Sequence, residues 1–214
     1  MVSRMLRAAA CKVVVAIAMV GALVAGGLAL VPAAHAAPEP SPIPKRWQLE
    51  ISTSPLMMAV VGGRSYFFMT YRVTNNSPQD QLFAPAFELA TDEGDLVRSG
   101  RDVPVEVTRE IITRLADPMI EDQISIVGNL LRGPENAKTG VVVWPMPQQF
   151  NAQISIFAAG FSGETAVVEV PSASGKSEKK LLRKTWMMRY SLPGQLKPGT
   201  GEAFLPVESR WIMR

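Results

Sequence analysis

The stretch "YFFMTYRVTNNSPQDQ", residues 66–81, decides the fold class. From Tyr66 to Thr74 it is rich in aromatic and β-branched side chains, and Phe67, Met69, Tyr71 and Val73 fall at every second position. That period places the four on one face of a strand. The run then stops in Asn75, Asn76, Ser77 and Pro78. Asn tolerates positive φ, Ser and Asp bond the local backbone, and Pro ends a ladder, so "NNSPQD" reads as a strand connection. Asn75-Asn76-Ser77 also matches the short N-glycosylation pattern, and a loop of this kind can contact a ligand; the turn is the preferred reading.

Upstream, "RWQLEIS" alternates Trp47, Leu49 and Ile51 with Gln48 and Glu50, as on a half-buried strand. Downstream, "LFAPAFELAT" sets Phe83, Phe87 and Leu89 on one face, while Pro85 predicts an edge position or a bulge. "DEGD", Asp92 to Asp95, reads as a turn. The period then changes. Asp102 and Pro104 read as the cap and first turn of a helix bearing Val107, Ile111 and Leu115. Asp117 and Pro118 read as the start of a second, with Ile120, Ile124, Val127 and Leu131 as its stripe and Gly133 as its stop. Strand patterns resume in "GVVVWP", "AQISIFAAGF", "TAVVEV", "LLRKTWMMRYS" and "VESRWIM"; the polar "PSASGKSEK" predicts a hairpin tip. Seven to nine short strands around one helical pair, at about 102–132, predict a mainly β antiparallel sandwich with a helical insertion.

The first 36 residues carry a different message. Arg4, Arg7 and Lys12 precede the apolar run Val13–Val31, followed by Pro32 and "AHA" ending at Ala36. Basic, then apolar, then small-x-small is the order of a secretory signal cleaved after Ala36, although an uncleaved run of this length also suffices to span a bilayer. "APEPSPIP", Ala37 to Pro44, has Pro at every second position and predicts an extended stalk over 37–46, ahead of a domain at 47–214.

Cleavage changes the chemistry that remains. The full chain has 22 Lys+Arg against 19 Asp+Glu, and three of the basic residues precede residue 37, leaving 19 against 19. The balance gives no support to nucleic-acid binding. The only cysteine, Cys11, and the only histidine, His35, leave with the segment. The remaining 178 residues (214 − 36) can build no Ser-His-Asp triad, no thiol nucleophile and no ordinary zinc site.

What remains is thin. Asp92, Glu93 and Asp95 around Gly94 carry oxygen ligands for Ca²⁺ without the full loop spacing, so a solvated turn is preferred. Met57-Met58 and Met187-Met188, beside Trp186, are thioether donors for Cu(I), against core packing as the plainer reading. Glu88, Glu121, Asp122 and Glu135 are the carboxylates a glycosidase would need, but no spacing pairs them. Lys179, Lys180, Arg183, Lys184 and Arg189 interleave with Trp186 and Tyr190 in a pattern that can meet nucleic acid or anionic lipid; a solvated face, or one turned to a partner, is preferred.

"YFFMTYRVTNNSPQDQLFAPAFELATDEG", with "NAKTGVVVWPMP" and "FAAGFSGETAVVEV", resembles secreted bacterial immunoglobulin-like domains, and most closely an uncharacterised family of exported bacterial envelope proteins, over most of residues 45–214. The resemblance implies an immunoglobulin-like β-sandwich and an extracytoplasmic address (periplasm, cell envelope or medium). It carries over no catalytic residue, and the stretch 102–132 departs from the plain sandwich pattern. The expectation is a non-catalytic protein that contacts another envelope protein or surface component. No catalytic, cofactor-binding or metal-binding residue is assigned, no nucleic acid is expected, and the membrane enters only through an uncleaved signal segment. The alternatives are a carboxylate-only hydrolase of an extracytoplasmic polymer, or a weak Ca²⁺- or Cu-binding protein.

Overall fold

A computed structural model describes residues 38–147, 152–171, 177–193, 196 and 202–214. All of them belong to the compact unit Ala37–Arg214. The expected signal at 1–36 and residues 172–176 of the expected hairpin tip lie outside the described residues.

The elements, in chain order, are β1 (Glu50–Thr53), β2 (Leu56–Val61), β3 (Arg64–Asn75), β4 (Gln81–Phe83), β5 (Ala86–Thr91), β6 (Leu96–Arg98), α1 (Val105–Leu115), β7 (Ile120–Glu121) and β8 (Gly128–Leu130). They continue with β9 (Gly133–Pro145), β10 (Gln153–Ala159), β11 (Thr165–Pro171), β12 (Ser177–Ser191), β13 (Ala203–Phe204) and β14 (Glu208–Met213). The fold is mainly β, as expected. One sheet runs β13-β2-β3-β9-β7 with β1 also on β3; a second runs β11-β12-β10-β5-β6 with β14 also on β12; β4 and β8 form a small third. Every pairing is antiparallel except β7 with β9.

β3 organises the first sheet. Its first half pairs with β2, its second half with β1, and its other edge with β9. Phe67, Met69, Tyr71 and Val73 share a face, and with Val142 and Trp144 they enter one core with Phe87, Leu89, Ile154, Ile156, Met188 and Tyr190 of the second sheet. The opposite face is buried too. Ala59, Tyr66, Phe68, Val141 and Val143 pack with Val107 and Ile111 of α1. This double burial explains why Tyr66 and Phe68 interrupt the polar half of the alternation. Gly140 of β9 makes the close approach possible, since a Cβ there would lie 2.6 Å from the Tyr71 ring.

The expected helical pair is a single helix. α1 begins after Pro104 with no side-chain cap bond, and Asp102, expected as the cap, sits outside at φ 58°. Ala116 ends it in the left-handed conformation, its N–H bonding the Thr113 carbonyl. Beyond it the acidic residues expected at a second helix start close turns instead. Asp117 Oδ1 accepts the Met119 N–H (2.9 Å), and Asp122 Oδ1 accepts the N–H groups of Ile124 (2.7 Å) and Ser125 (3.0 Å). The expected stripe is not the buried one: Ile124 is 77% exposed and Val127 and Leu131 are exposed, whereas Ile126 and Leu130 are fully buried. Two apolar rows of helical spacing compete in this β-branched segment, and pairing of β7 with β9 and of β8 with β4 selects the second. Ile111→Ala is therefore expected to cost about 2–5 kcal/mol. Leu131→Ala should fall within about 0.5 kcal/mol of wild type, reversing the sequence-based packing expectation. Urea melts of both variants check this, and equal losses would contradict the placement.

Two smaller expectations also change. Pro85 breaks the chain between β4 and β5, which join different sheets, and β5 is no edge strand because it pairs with β6 and β10. Fourteen strands, not seven to nine, appear among the described residues, because such breaks divide single patterns and residues 120–130 add two more.

Candidate functional site

The loop after β3 is a structural connection. Asn75 is fully buried. Its Nδ2 donates to the carbonyls of Gln79 and Leu130 (both 2.9 Å), and its Oδ1 accepts the Ser77 N–H (3.0 Å) and hydroxyl (2.6 Å). The amide is taken up by the turn and by β8, and its nitrogen is not presented for glycan attachment.

The "DEGD" turn closes the β5–β6 hairpin, with Gly94 at φ +95° and the Thr91 hydroxyl accepting the Asp95 N–H (3.1 Å). Asp92 Oδ2 accepts the N–H groups of Ala152 (3.0 Å) and Gln153 (3.3 Å), so one of the proposed calcium ligands ties the hairpin to the start of β10. Among the described residues no three His, Cys, Asp or Glu side chains gather where an ion could sit. The methionine pairs split as strand alternation requires. Met58 and Met188 enter the shared core while Met57 packs on the helix side, and Met188 Sδ lies near the hydroxyls of Thr53 (3.6 Å) and Tyr190 (3.7 Å).

The four candidate carboxylates are scattered, and each has a local role. Glu88 on β5 meets Arg214 (2.7 Å) and Arg98 (3.9 Å). Glu121 on β7 meets Lys138 (3.5 Å). Burial would raise Asp122, but bonds from the Ser125 N–H and hydroxyl and the Ile124 N–H outweigh it and hold the group below the usual range. Glu135 lies at the start of β9, 3.4 Å from the Asn136 amide. Burial, with the Glu121 charge adding, pushes the Tyr71 phenol far above its ordinary value, so it stays protonated.

The basic, aromatic-interleaved strand is β12, and its alternation puts Lys179, Arg183 and Arg189 on one face while Lys180 and Lys184 share the face of Trp186 and Tyr190. Tyr190 is buried in the core, and Trp186 packs at its rim against Trp211 with ring centroids 5.2 Å apart. Burial of Tyr190 and the packing of Trp186 on Trp211 leave neither of these two rings as an open stacking platform beside Lys179, Lys180 and Arg183. Those three lie on the half of β12 that leaves the body with β11. This arm pairs from Thr165↔Arg183 to Pro171↔Ser177, and its neighbouring Val167 and Leu181 are 63% and 57% exposed. Arg183 exchanges both backbone bonds with Arg214 (2.7 and 3.1 Å), and Lys184 donates its N–H to the Glu164 carbonyl. Odd positions of β12 thus point away from β11, and by the same alternation Thr165, Val167 and Glu169 turn their backbone groups to the open side of β11.

Sequence reasoning missed the cluster at the base of this arm. Lys184, expected on a solvated face, is 2% exposed, and Glu164 is 8% exposed. Lys184 Nζ lies 3.0 Å from Glu164 Oε2, 3.0 Å from the Ser41 carbonyl, and 5.6 Å from the Trp211 ring centre. The Ser41 N–H donates to Glu164 Oε1 (2.9 Å). The Pro-rich segment, expected as an extended stalk, is instead fastened to the β unit at Ser41 and bends at Pro42–Ile43 and Lys45–Arg46. The available signal was Pro spacing that leaves Ser41 as an isolated donor, but nothing near it named the partner.

Burial would raise the Glu164 carboxyl, but bonds from Ser41 and Lys184 and the Lys184 charge outweigh it and hold it at about 2, below its ordinary 4.5. A depressed carboxyl stabilises the fold above the unfolded value and loses that contribution as pH falls through the folded one. The Glu164 contribution should be whole above about 4.5 and fade toward about 2. Urea unfolding at pH 6, 4 and 3 should show a steeper acid loss in wild type than in Glu164→Gln; identical slopes would contradict the pairing.

Comparison of the chain with protein-family models, with curated proteins and with solved structures gives no match.

Proposed function

We propose that this chain is a non-catalytic exported module, built on an immunoglobulin-like β-sandwich, that acts by contact with another envelope protein or surface component. The arm formed by β11 and the first half of β12 is the observation that carries this reading. Among the described residues β11 pairs with β12 alone, so one of its edges is open. A two-stranded ribbon is marginal by itself in water, and an open edge with exposed apolar side chains is the form that accepts an added strand. The occupant is an extended segment of a partner protein that pairs along Thr165–Glu169 and covers Val167 and Leu181. Pro171, which has no N–H, limits the pairing at one end. Local engagement of each candidate carboxylate supports contact over hydrolysis.

A photo-cross-linking residue at position 167, introduced in the native host, tests the assignment. One discrete adduct is expected, absent when the same probe stands at Arg109 on α1. It should also disappear with Thr165→Pro, which removes an edge N–H. An adduct unchanged by Thr165→Pro, or none from the arm, would overturn strand addition.

A further inference from the structure

The second half of the β10–β11 region opens a gap in the second sheet. β10 and β11 pair with successive parts of β12, and Gly160 to Glu164 bridge them, starting at Gly160 with φ +91°. The chain before β1 lies along this break: the Phe161 carbonyl accepts the Leu49 N–H (2.8 Å), and the Gly163 N–H donates to the Trp47 carbonyl (3.0 Å). Further upstream, Pro42 to Arg46 are exposed, and Ile43 projects into solvent. The next attachment is Ser41, which bonds Glu164 and Lys184.

The geometry of that attachment is specific. Glu164 offers Oε1 to the Ser41 N–H and Oε2 to Lys184, while Lys184 divides its donors between Oε2 and the Ser41 carbonyl. The ion pair thus presents one acceptor and one donor to the two polar groups of a single backbone unit, as a strand edge would. Pro40 and Pro42 flank that unit. Both fix φ, Pro42 drives Ser41 into extended backbone, and neither supplies an N–H, so Ser41 is the lone donor between Glu39 and Ile43. Prolines that fix φ on both sides leave the unit little conformational freedom to lose on docking, and the chain bends away just beyond it, at Pro42–Ile43. A second observation concerns the ions: each is nearly buried, and without Ser41 the Oε1 lone pairs would lose the N–H they accept.

We infer that Glu164 and Lys184 form a recognition site for one backbone unit of a proline-flanked peptide, with the chain's own Pro38–Pro44 segment as its exchangeable occupant. The site reads the N–H and carbonyl between two prolines, and the Ser41 side chain adds a bond to Glu164. Exposure of Pro42–Arg46 leaves the strap able to lift without disturbing Trp47–Leu49, and the vacated site then takes an equivalent segment in trans. This assignment is independent of the partner that the arm contacts.

The test uses the full chain and a fluorescein-labelled peptide of residues Pro38–Lys45. Ser41→Pro in the protein removes the strap's N–H and hydroxyl, so the labelled peptide should bind this variant at least about tenfold more tightly than wild type, where the tethered segment competes at about millimolar effective concentration. A peptide that itself carries Ser41→Pro should bind neither protein. A second measurement needs no protein variant: in wild type, excess unlabelled peptide should reduce the exchange protection of the Ser41 amide, and the Pro-substituted peptide should not. Equal binding by the two peptides, equal binding to the two proteins, or unchanged Ser41 protection would overturn the inference.

Discussion

Trp144→Ala is expected to lower stability by about 3–5 kcal/mol, a fall of about 6–20 °C in Tm for a chain of this size. Trp144 is fully buried on β9, opposite Phe67, in the core that joins the two large sheets. Removing its ring opens a cavity between layers that cannot both collapse onto it. Trp144→Phe should cost less than half as much. The indole Nε1 finds no acceptor among the described side chains and backbone, and removing an unsatisfied buried donor offsets part of the lost packing. Thermal melts of both variants decide the matter; an unmoved Tm for Trp144→Ala would place that face of β9 in water.

Lys184→Met should cost about 3 kcal/mol at neutral pH. Removing one member of a buried pair leaves the other charge unpaired, and the estimate sits at the lower end of the usual range because the Glu164 side chain keeps 11% of its surface exposed. Glu164→Gln in the same chain should recover much of that loss, because a neutral amide can still accept the Ser41 N–H. The double variant is therefore expected to be more stable than Lys184→Met alone, as measured by urea unfolding. Additive losses would mean that the two side chains do not act as a pair.

Most of the strand content was legible because half-buried strands declare themselves by alternation. Phe67, Met69, Tyr71 and Val73 do this without ambiguity, and they occupy the shared core together. The turn at Asn75 was legible for the same local reason, since an Asn-Asn-Ser-Pro run encodes its own bonds. Residues 117–132 misled because local signals agree with two structures. Asp117 and Asp122 close turns with the same Oδ–N–H bond that would cap a helix, and Ile126 and Leu130 repeat with the same spacing as Ile120 and Ile124. Only pairing with distant β4 and β9 decides, and no local pattern contains it. The clamp at Ser41 was hidden by separation: Glu164 lies 123 positions after Ser41, and the lysine that joins them sits in a run of other basic residues. A lysine buried on the inner face of a long strand looks the same, in sequence, as one in solvent.

The proposal that this chain works by contact rather than by chemistry is carried by the open edge of β11, and what its carboxylates already do supports it. Glu88 is held by two arginines, Glu121 by Lys138, Asp122 by its turn, and Glu164 by Lys184 and Ser41. Catalysis at neutral pH with carboxylates alone needs one of them raised into the working range beside an ionised partner, yet Asp122 and Glu164 are both lowered. The most direct measurement is the release of reducing ends or free amines from envelope polysaccharide, peptidoglycan and protein substrates by the purified chain. The account predicts no turnover above the buffer blank, with arm variants and carboxylate variants indistinguishable. Turnover that vanishes on replacing one Glu or Asp by its amide, in a variant that still melts like wild type, would contradict it.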